Sequence, residues 1–313
     1  MRKNSKPIYV VMALIFFAFG CEKNSEYQTI NLEEKMEPQT LSVADNNSRL
    51  LRVAVAAMVS PKETLIYYEE LLQYIGNQIN YDVNLIQRKT YSEVNELFPK
   101  RLIDLAFVCS GPYANGREKY RFEGIATPVV RDKPFYQSYL IVHKDSPFHT
   151  LEDLRGKIFA FTDPDSNTGS LVPRFWLHEL NVSPPSFFNR ITFTYSHDNS
   201  ILAVAKGLVD GAAVDGHKWE FYQEKNPYFT SKTRVIKKSQ FYGSPPLVAS
   251  SYLQPDLKKS IQDVILNMHN TAEGKTILNN LIIDRFEPPK TQWYEKVQSM
   301  YSAVHSKSQE GVR

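Results

Sequence analysis

Residues 158–180 decide the fold, and they read IFAFTDPDSNTGSLVPRFWLHEL. The apolar run Ile158–Phe161 predicts a buried β-strand, and residues 169–180 have the spacing of an amphipathic helix. Residues 162–168 are rich in Asp, Ser, Asn and Thr, which are typical of a loop that caps a helix. The stretch therefore predicts a strand, a polar loop and a helix in direct succession.

The same alternation of strands and helices extends from residue 50 to residue 302. Strands are predicted at 50–56, 83–86, 103–108, 138–143, 158–161, 191–195, 211–214 and 247–250. Helices are predicted at 64–79, 90–101, 169–180, 199–208, 254–281 and 292–302. Thr90 and Glu93 form a capping box at the start of the second helix. The alternation indicates βαβ units around parallel sheets, and hence an α/β fold.

The path of the chain after residue 243 predicts two lobes. If residues 141–243 form the second lobe, residues 50–140 and 244–313 must build the first, and two strands cross between two sheets. Ligands of α/β proteins bind at the carboxyl ends of strands, which predicts a central cleft between the lobes. Hinges are expected near residues 138–142 and 241–246.

The first 20 residues have the parts of an export signal. Three basic residues precede an apolar run at 8–19, which is too short to span a membrane. The sequence AFGC at 18–21 resembles a bacterial lipobox, in which Cys21 is acylated; ordinary signal cleavage is the alternative. Residues 21–49 are polar and predict a flexible tether. We therefore expect an extracytoplasmic protein that is anchored to a membrane through a lipid on Cys21.

Composition and charge argue against one class of partner, nucleic acids. The 313 residues are 42% hydrophobic and 12% aromatic, which is ample for packed cores. The net charge of +3 comes from residues 1–20, and the rest of the chain has 34 basic and 34 acidic residues. This balance argues against a nucleic-acid-binding surface. With Cys21 acylated, Cys109 has no partner for a disulfide and is expected to be a buried apolar residue.

The polar loop has the chemistry of an anion site. The first amides of a helix lack partners, and the helix dipole adds about half a positive charge. Gly169 would let a ligand approach the backbone, while Ser166, Asn167 and Thr168 would add side-chain donors. An ordinary helix cap is the alternative, because these residue types are also the usual capping residues.

The loop resembles the Asp-Pro-x-Ser-Thr-Ser-Gly loop of the phosphate/phosphite/phosphonate-binding proteins of ABC transporters, with Asn167 and Thr168 at the second and third hydroxyl positions. Residues 139–147, 196–205 and 209–215 agree with the same family in order and spacing. The resemblance covers roughly residues 50–285. It implies a two-lobed periplasmic-binding-protein type II fold with a central ligand cleft and two crossing hinge strands, a monomer, and no cofactor.

The resemblance also implies which residues bind the ligand. The second lobe would surround the phosphoryl oxygens with Ser166, Asn167, Thr168, Gly169, Ser170 and His197. The ring N–H of His197 can satisfy an oxygen, and a pKa near neutrality would let the ring become charged when the anion arrives. A surface histidine that caps the following helix is the alternative.

The first lobe would supply further donors across the cleft. Tyr91 resembles a family tyrosine whose hydroxyl reaches the anion, although a packed aromatic residue is the alternative. Ser110 and Tyr113 follow the strand that ends at Val108, where strand ends meet the cleft. The loop at 58–61 points to the same place.

The far end of the ligand would meet Asp215. In aminoalkylphosphonate binders of the family, acidic side chains bind the ammonium group; here one such position reads Gly216 or His217, and another falls within residues 244–246. These differences argue against an aminoalkyl ligand. They leave phosphite, a simple alkylphosphonate or phosphate as the expected ligand.

These observations predict a solute-binding lipoprotein that captures a small phosphorus oxyanion by cleft closure and delivers it to an ABC permease. A sensing accessory protein that signals to a membrane kinase is the alternative. A hydrolase would use Ser170, His197 and Asp215, but no Gly-x-Ser-x-Gly motif is present in the sequence. Metal-ligand spacing and a nucleotide-binding glycine loop are also absent from the sequence.

Overall fold

The computed structural model describes residues 49–58 and 60–310. The predicted export signal, the acylated Cys21 and the tether up to residue 48 lie outside the described residues. Asn47–Arg313 form one compact unit, and three clusters of buried apolar side chains lie within it. We therefore expect this unit to fold by itself.

Strands and helices alternate along this unit as predicted. The strands are β1 (Leu50–Val55), β2 (Asp82–Ile86), β3 (Leu105–Phe107), β4 (Phe122–Val129), β5 (Phe135–Tyr136), β6 (Ser138–His143), β7 (Ile158–Phe161), β8 (Arg190–Phe193), β9 (Gly211–Asp215), β10 (Thr233–Lys238), β11 (Tyr242–Gly243), β12 (Leu247–Ser250) and β13 (Arg285–Glu287). The α-helices are α1 (Pro61–Ile79), α2 (Tyr91–Asn95), α3 (Ser110–Tyr120), α4 (Val172–Glu179), α5 (Pro184–Phe187), α6 (His197–Ala205), α7 (Gly216–Lys225), α8 (Pro255–Asn267), α9 (Ala272–Leu281) and α10 (Glu295–Glu310).

Two sheets carry the two lobes. The first has the strand order β13-β4-β12-β3-β1-β2, and the second has the order β10-β6-β9-β7-β8. Three strands of each sheet are parallel as predicted, namely β1 to β3 and β7 to β9. Each sheet also contains antiparallel pairs, because β12 and β6 run antiparallel to their neighbours. These are the first long strands after the chain passes from one sheet to the other. The chain enters each sheet there in the direction opposite to that of the parallel strands.

The chain crosses between the sheets at residues 130–137 and 239–246. Here the short strands β5 and β11 pair antiparallel, with Tyr136 opposite Tyr242. Both side chains are buried. This pair forms the two crossing strands of the type II fold, whereas the lobe boundaries at residues 140 and 243 stay a prediction.

One predicted helix is much shorter than expected. The capping box of Thr90 and Glu93 is present, but α2 ends at Asn95 instead of residue 101. Pro99 explains the difference, since it has no amide hydrogen and its ring would clash with the carbonyl of Asn95. Arg101 then takes a φ of 58°, in the left-handed region.

The C-terminal helix α10 packs against α3 of the first lobe and α4 of the second. Its buried side chains Val297 and Met300 join a core cluster that contains residues of both lobes. No helix within residues 49–58 and 60–310 is long and apolar enough to cross a membrane.

Candidate functional site

The polar loop leaves the carboxyl end of β7, a strand in the interior of the second sheet. Ser166 caps the turn after this loop, because its Oγ accepts a hydrogen bond from the Gly169 amide at 3.0 Å. The residues Asn167–Leu171 form a π-helical turn that leads into α4. The predicted helix start at residue 169 is therefore replaced by a wider turn two residues earlier.

Gly169 is required by the packing of this loop on its own strand. A Cβ atom there would overlap Thr162 Oγ1 and would lie 3.0 Å from Ser166 Oγ. The Thr162 amide also donates to the Gly169 carbonyl at 3.0 Å. The loop thus folds back over the end of β7, which accounts for the glycine without any ligand.

Three predicted site residues bury polar atoms that have no hydrogen-bond partner among the described residues: Tyr91 OH, Asn167 Oδ1 and Thr168 Oγ1. Tyr91 lies at the start of α2 in the first lobe, and the other two lie in the π-helical turn of the second. The Tyr91 amide donates to Asp163 Oδ2 at 3.1 Å, so α2 and the loop are in contact. Buried polar atoms without partners are costly, which points to a polar ligand between the lobes.

Asn167 is held by the first lobe and by a crossing strand. Its backbone N–H donates to Cys109 Sγ at 3.4 Å, and its side-chain Nδ2 donates to Tyr136 OH at 3.1 Å. Tyr136 OH also shares a close hydrogen bond with Ser110 Oγ. The predicted site residues Ser110 and Asn167 are therefore joined through Tyr136, which the sequence did not single out.

His197 is the first residue of α6 and is buried. Its Nδ1 accepts a hydrogen bond from the Asp215 amide at 3.1 Å and lies 3.2 Å from Thr162 Oγ1. The neutral ring therefore carries its proton on Nε2, which becomes the donor. Burial lowers the pKa of His197 to about 4, so the expected pKa near neutrality is wrong and the ring is neutral at pH 7.

Asp163 is a further residue of the site that the sequence did not identify. Its side chain is 1% exposed and accepts hydrogen bonds from the amides of Tyr91 (3.1 Å) and Asp165 (2.8 Å). Burial raises its pKa to about 6. In the sequence this residue looks like any turn aspartate before a proline, and only the burial of the turn gives it a special role.

Three other predicted residues have roles within the fold. Ser170 Oγ accepts a hydrogen bond from Arg174 Nε at 3.1 Å, one turn along the helix. Asp215 caps α7, accepting from the Lys218 amide at 3.2 Å. The Tyr113 ring packs 4.5 Å from the ring of Tyr294, and its hydroxyl lies against β4 in the first lobe. The structure therefore places Tyr113 in a core and does not bring it to the polar loop.

The residues of the alternative triad do not form a charge relay. In a hydrolase triad the aspartate carboxylate accepts the Nδ1–H of the histidine. Here Nδ1 of His197 instead accepts the backbone amide of Asp215. Over the described part of the chain, no cluster of three or more His, Cys, Asp or Glu side chains could hold a metal ion.

A sequence profile of the family described as "ABC transporter, phosphonate, periplasmic substrate-binding protein" matches residues 53–294. This chain belongs to that family. The matched range includes both sheets except the first residues of β1, and it contains every residue of the site described above.

Two curated relatives in the family are informative. The phosphonates-binding periplasmic protein of Escherichia coli K12 is 27% identical over 243 residues, which cover 76% of this chain and 72% of the relative. A probable ABC transporter phosphite-binding protein of Prochlorococcus marinus MIT 9301 is 26% identical over 181 residues, covering 54% of this chain and 61% of that protein.

Solved structures confirm the type II fold. A binding-protein component of an ABC phosphonate transporter from Pseudomonas aeruginosa superposes with a TM-score of 0.78 at 24% identity, covering 82% of this chain and 87% of that one. The Prochlorococcus marinus protein in complex with methylphosphonate gives a TM-score of 0.75 at 20% identity, covering 82% and 98%.

Proposed function

We propose that this chain captures a small phosphorus oxyanion, such as a phosphonate, phosphite or phosphate, by closing its two lobes around it, and that it delivers the ligand to an ABC permease. The observation that carries this proposal is the set of buried, unpartnered atoms Tyr91 OH, Asn167 Oδ1 and Thr168 Oγ1 within the described chain. They come from both lobes. A ligand that binds between them therefore favours the closed arrangement.

The donors of this site suit a tetrahedral oxyanion. The hydroxyls of Tyr91 and Thr168 and the Nε2–H of His197 can each donate to an oxygen. A rotation of the Asn167 amide would bring its NH2 group to the ligand, while its oxygen accepted the Tyr136 hydroxyl. The resulting site would bind a dianion through neutral donors and helix amides, as other helix N-termini do.

Thermal unfolding of residues 47–313 tests this proposal. Methylphosphonate, phosphite, phosphate and sulfate are added separately. A ligand at about a thousandfold excess over its dissociation constant should stabilise the native state by about 4 kcal/mol, and the melting temperature should rise. Sulfate reports non-specific effects of a divalent anion. If none of the three phosphorus anions raises the melting temperature above the sulfate sample, the proposal is wrong.

The membrane anchor is a separate part of the proposal. We propose that Cys21 is acylated, on the lipobox-like sequence at 18–21. The full chain expressed in a bacterium should partition into detergent and carry a lipid on its N-terminal peptide by mass spectrometry. A Cys21→Ser variant should lose both properties. Wild-type chain that is fully recovered in the aqueous phase would contradict the anchor.

A further inference from the structure

A cavity of about 80 Å³ lies between the lobes. Met58 and Asp215 line it, and both contact the histidine: the Met58 carbonyl accepts the His197 amide at 3.1 Å, and the Asp215 amide donates to Nδ1 at 3.1 Å. A cavity of about 150 Å³ holds a benzene molecule, so this one has room for roughly three heavy atoms. Through these two contacts the cavity adjoins His197, one of the proposed donors to the anion.

Ser244 is a polar residue in the wall of this cavity. The residue is 0% exposed and lines the cavity, and its Oγ has no hydrogen-bond partner in the described chain. Its backbone is fixed, since its amide donates to the Pro134 carbonyl at 3.0 Å and its carbonyl accepts the Tyr294 hydroxyl at 2.8 Å. A hydrogen-bonding group in the cavity beside this residue would supply the partner that the hydroxyl lacks.

The charges around the cavity cancel. Arg131 and Glu220 form an ion pair at 2.5 Å. Asp215 and Lys218 add one charge of each sign, and Lys218 Nζ donates to the Tyr68 hydroxyl at 3.3 Å. Burial lowers the pKa of His217, so this lining residue is neutral at pH 7. Lys218 would repel an ammonium group in the cavity, and Asp215 would repel a carboxylate.

Most of the remaining wall is apolar. It includes Phe107, Pro128 and Pro245 from the first lobe and Phe221 from the second. A charged substituent placed here would lose its water without gaining a matching net charge, which is unfavourable. An uncharged substituent loses little and buries its carbon atoms.

We infer that this cavity binds an uncharged substituent of about three heavy atoms that ends in a hydroxyl, paired with Ser244 Oγ. This inference rests on the proposed capture of a phosphorus oxyanion. The substrate class would then be short hydroxyalkylphosphonates, in preference to aminoalkylphosphonates and phosphonocarboxylates.

Isothermal titration of residues 47–313 with four ligands tests the inference. The ligands are methylphosphonate, 2-hydroxyethylphosphonate, 2-aminoethylphosphonate and phosphonoacetate. The hydroxyethyl compound should bind about five- to tenfold more tightly than methylphosphonate, as expected for one buried hydrogen bond. The two charged compounds should bind more weakly than methylphosphonate.

Two variants assign the preference to the cavity. Ser244→Ala should reduce the affinity ratio of hydroxyethyl- to methylphosphonate to about one. Lys218→Met should raise the affinity for 2-aminoethylphosphonate relative to the hydroxyethyl compound, because Asp215 is then unopposed. Lys225→Met, at an exposed lysine of the same helix, is the matched control and should leave every ratio as in the wild type.

The outcomes separate the two proposals. If none of the four phosphonates binds and phosphite and phosphate fail as well, the proposed function is wrong; if only phosphite or phosphate binds, the cavity assignment alone is wrong. If methylphosphonate binds but the aminoethyl or carboxylate compound binds most tightly, only the cavity assignment is wrong. A hydroxyethyl compound that binds no better than methylphosphonate also overturns the cavity assignment. The wild-type series decides this even if a variant does not fold.

Discussion

The Thr168 hydroxyl has a cost in the fold and a proposed use in binding. It is buried without a partner among the described residues, which costs about 1 to 3 kcal/mol for a polar group. Selection for stability alone would favour an apolar residue of the same shape here. A substitution that removes this hydroxyl should therefore affect ligand binding and stability in different ways.

We expect Thr168→Val to weaken binding of methylphosphonate by tenfold or more, since a hydrogen bond to a charged group contributes about 1.5 to 3 kcal/mol. The melting temperature without ligand should stay the same or rise. Titration calorimetry and thermal unfolding measure the two effects. Thr276→Val, at an exposed threonine of α9, is the control, and equal affinities for both variants would contradict the role of Thr168.

Asp163 and His197 give opposite contributions to stability as the pH changes. Burial raises the pKa of Asp163 from 3.8 to about 6, so its contribution is lost as the pH rises through that range. Burial lowers the pKa of His197 from 6.5 to about 4, so its contribution is lost as the pH falls through that range. Between pH 4 and pH 6.5 the two effects largely cancel.

Asp163→Asn should remove the contribution of Asp163 to the pH dependence of stability and leave that of His197. From pH 4 to pH 7 the free energy of unfolding of the variant should rise relative to the wild type by up to about 3 kcal/mol, the value of the Asp163 pKa shift. Urea unfolding at several pH values measures the difference. Glu118→Gln, at an exposed carboxylate, should show no comparable trend.

At the scale of elements, the π-helical turn Asn167–Leu171 sets the shape of the site. The Leu171 amide bonds to the Ser166 carbonyl at 2.9 Å, a spacing of five residues that widens the turn. Hydrophobic periodicity predicts where a helix lies but does not distinguish this widened first turn. The sequence therefore predicted the loop and α4, but not how the loop directs its side chains.

We expect Gly169→Ala to lower the free energy of unfolding by about 1 to 3 kcal/mol, because the added methyl overlaps Thr162 Oγ1. It should also weaken ligand binding, since the turn that carries Thr168 must move. Chemical unfolding and calorimetry measure the two effects. Gly156→Ala, where no heavy atom lies within 4 Å of the added methyl and φ is +71°, should cost about 1 to 2 kcal/mol and leave affinity unaffected.

Local patterns predicted most elements, because apolar spacing and capping residues act within a few positions. β6, β7 and β12 have the predicted bounds. The roles of Tyr136 and Asp163 were not predictable in this way. They depend on contacts between segments 31 and 72 residues apart, which only the packing of the lobes creates.

At the scale of the whole molecule, the lobes meet along a set of direct contacts. The His197 amide donates to the Met58 carbonyl at 3.1 Å, and the Ser60 amide donates to Asp198 Oδ1 at 3.0 Å. Behind the site, α10 packs against both lobes. Any separation of the lobes must break these two hydrogen bonds and shift the packing of α10.

The Cys109 thiol makes this separation measurable. It is 3% exposed and is the only cysteine in the sequence of residues 47–313, and burial raises its pKa to about 11. A maleimide dye should therefore attach only during the intervals in which Asn167 withdraws, and saturating methylphosphonate should slow attachment about tenfold or more. An equal rate of dye attachment with and without the ligand would show that the dye reaches the thiol without separation of the lobes. The rate at which the dye attaches to Cys109 would therefore report how often the two lobes separate.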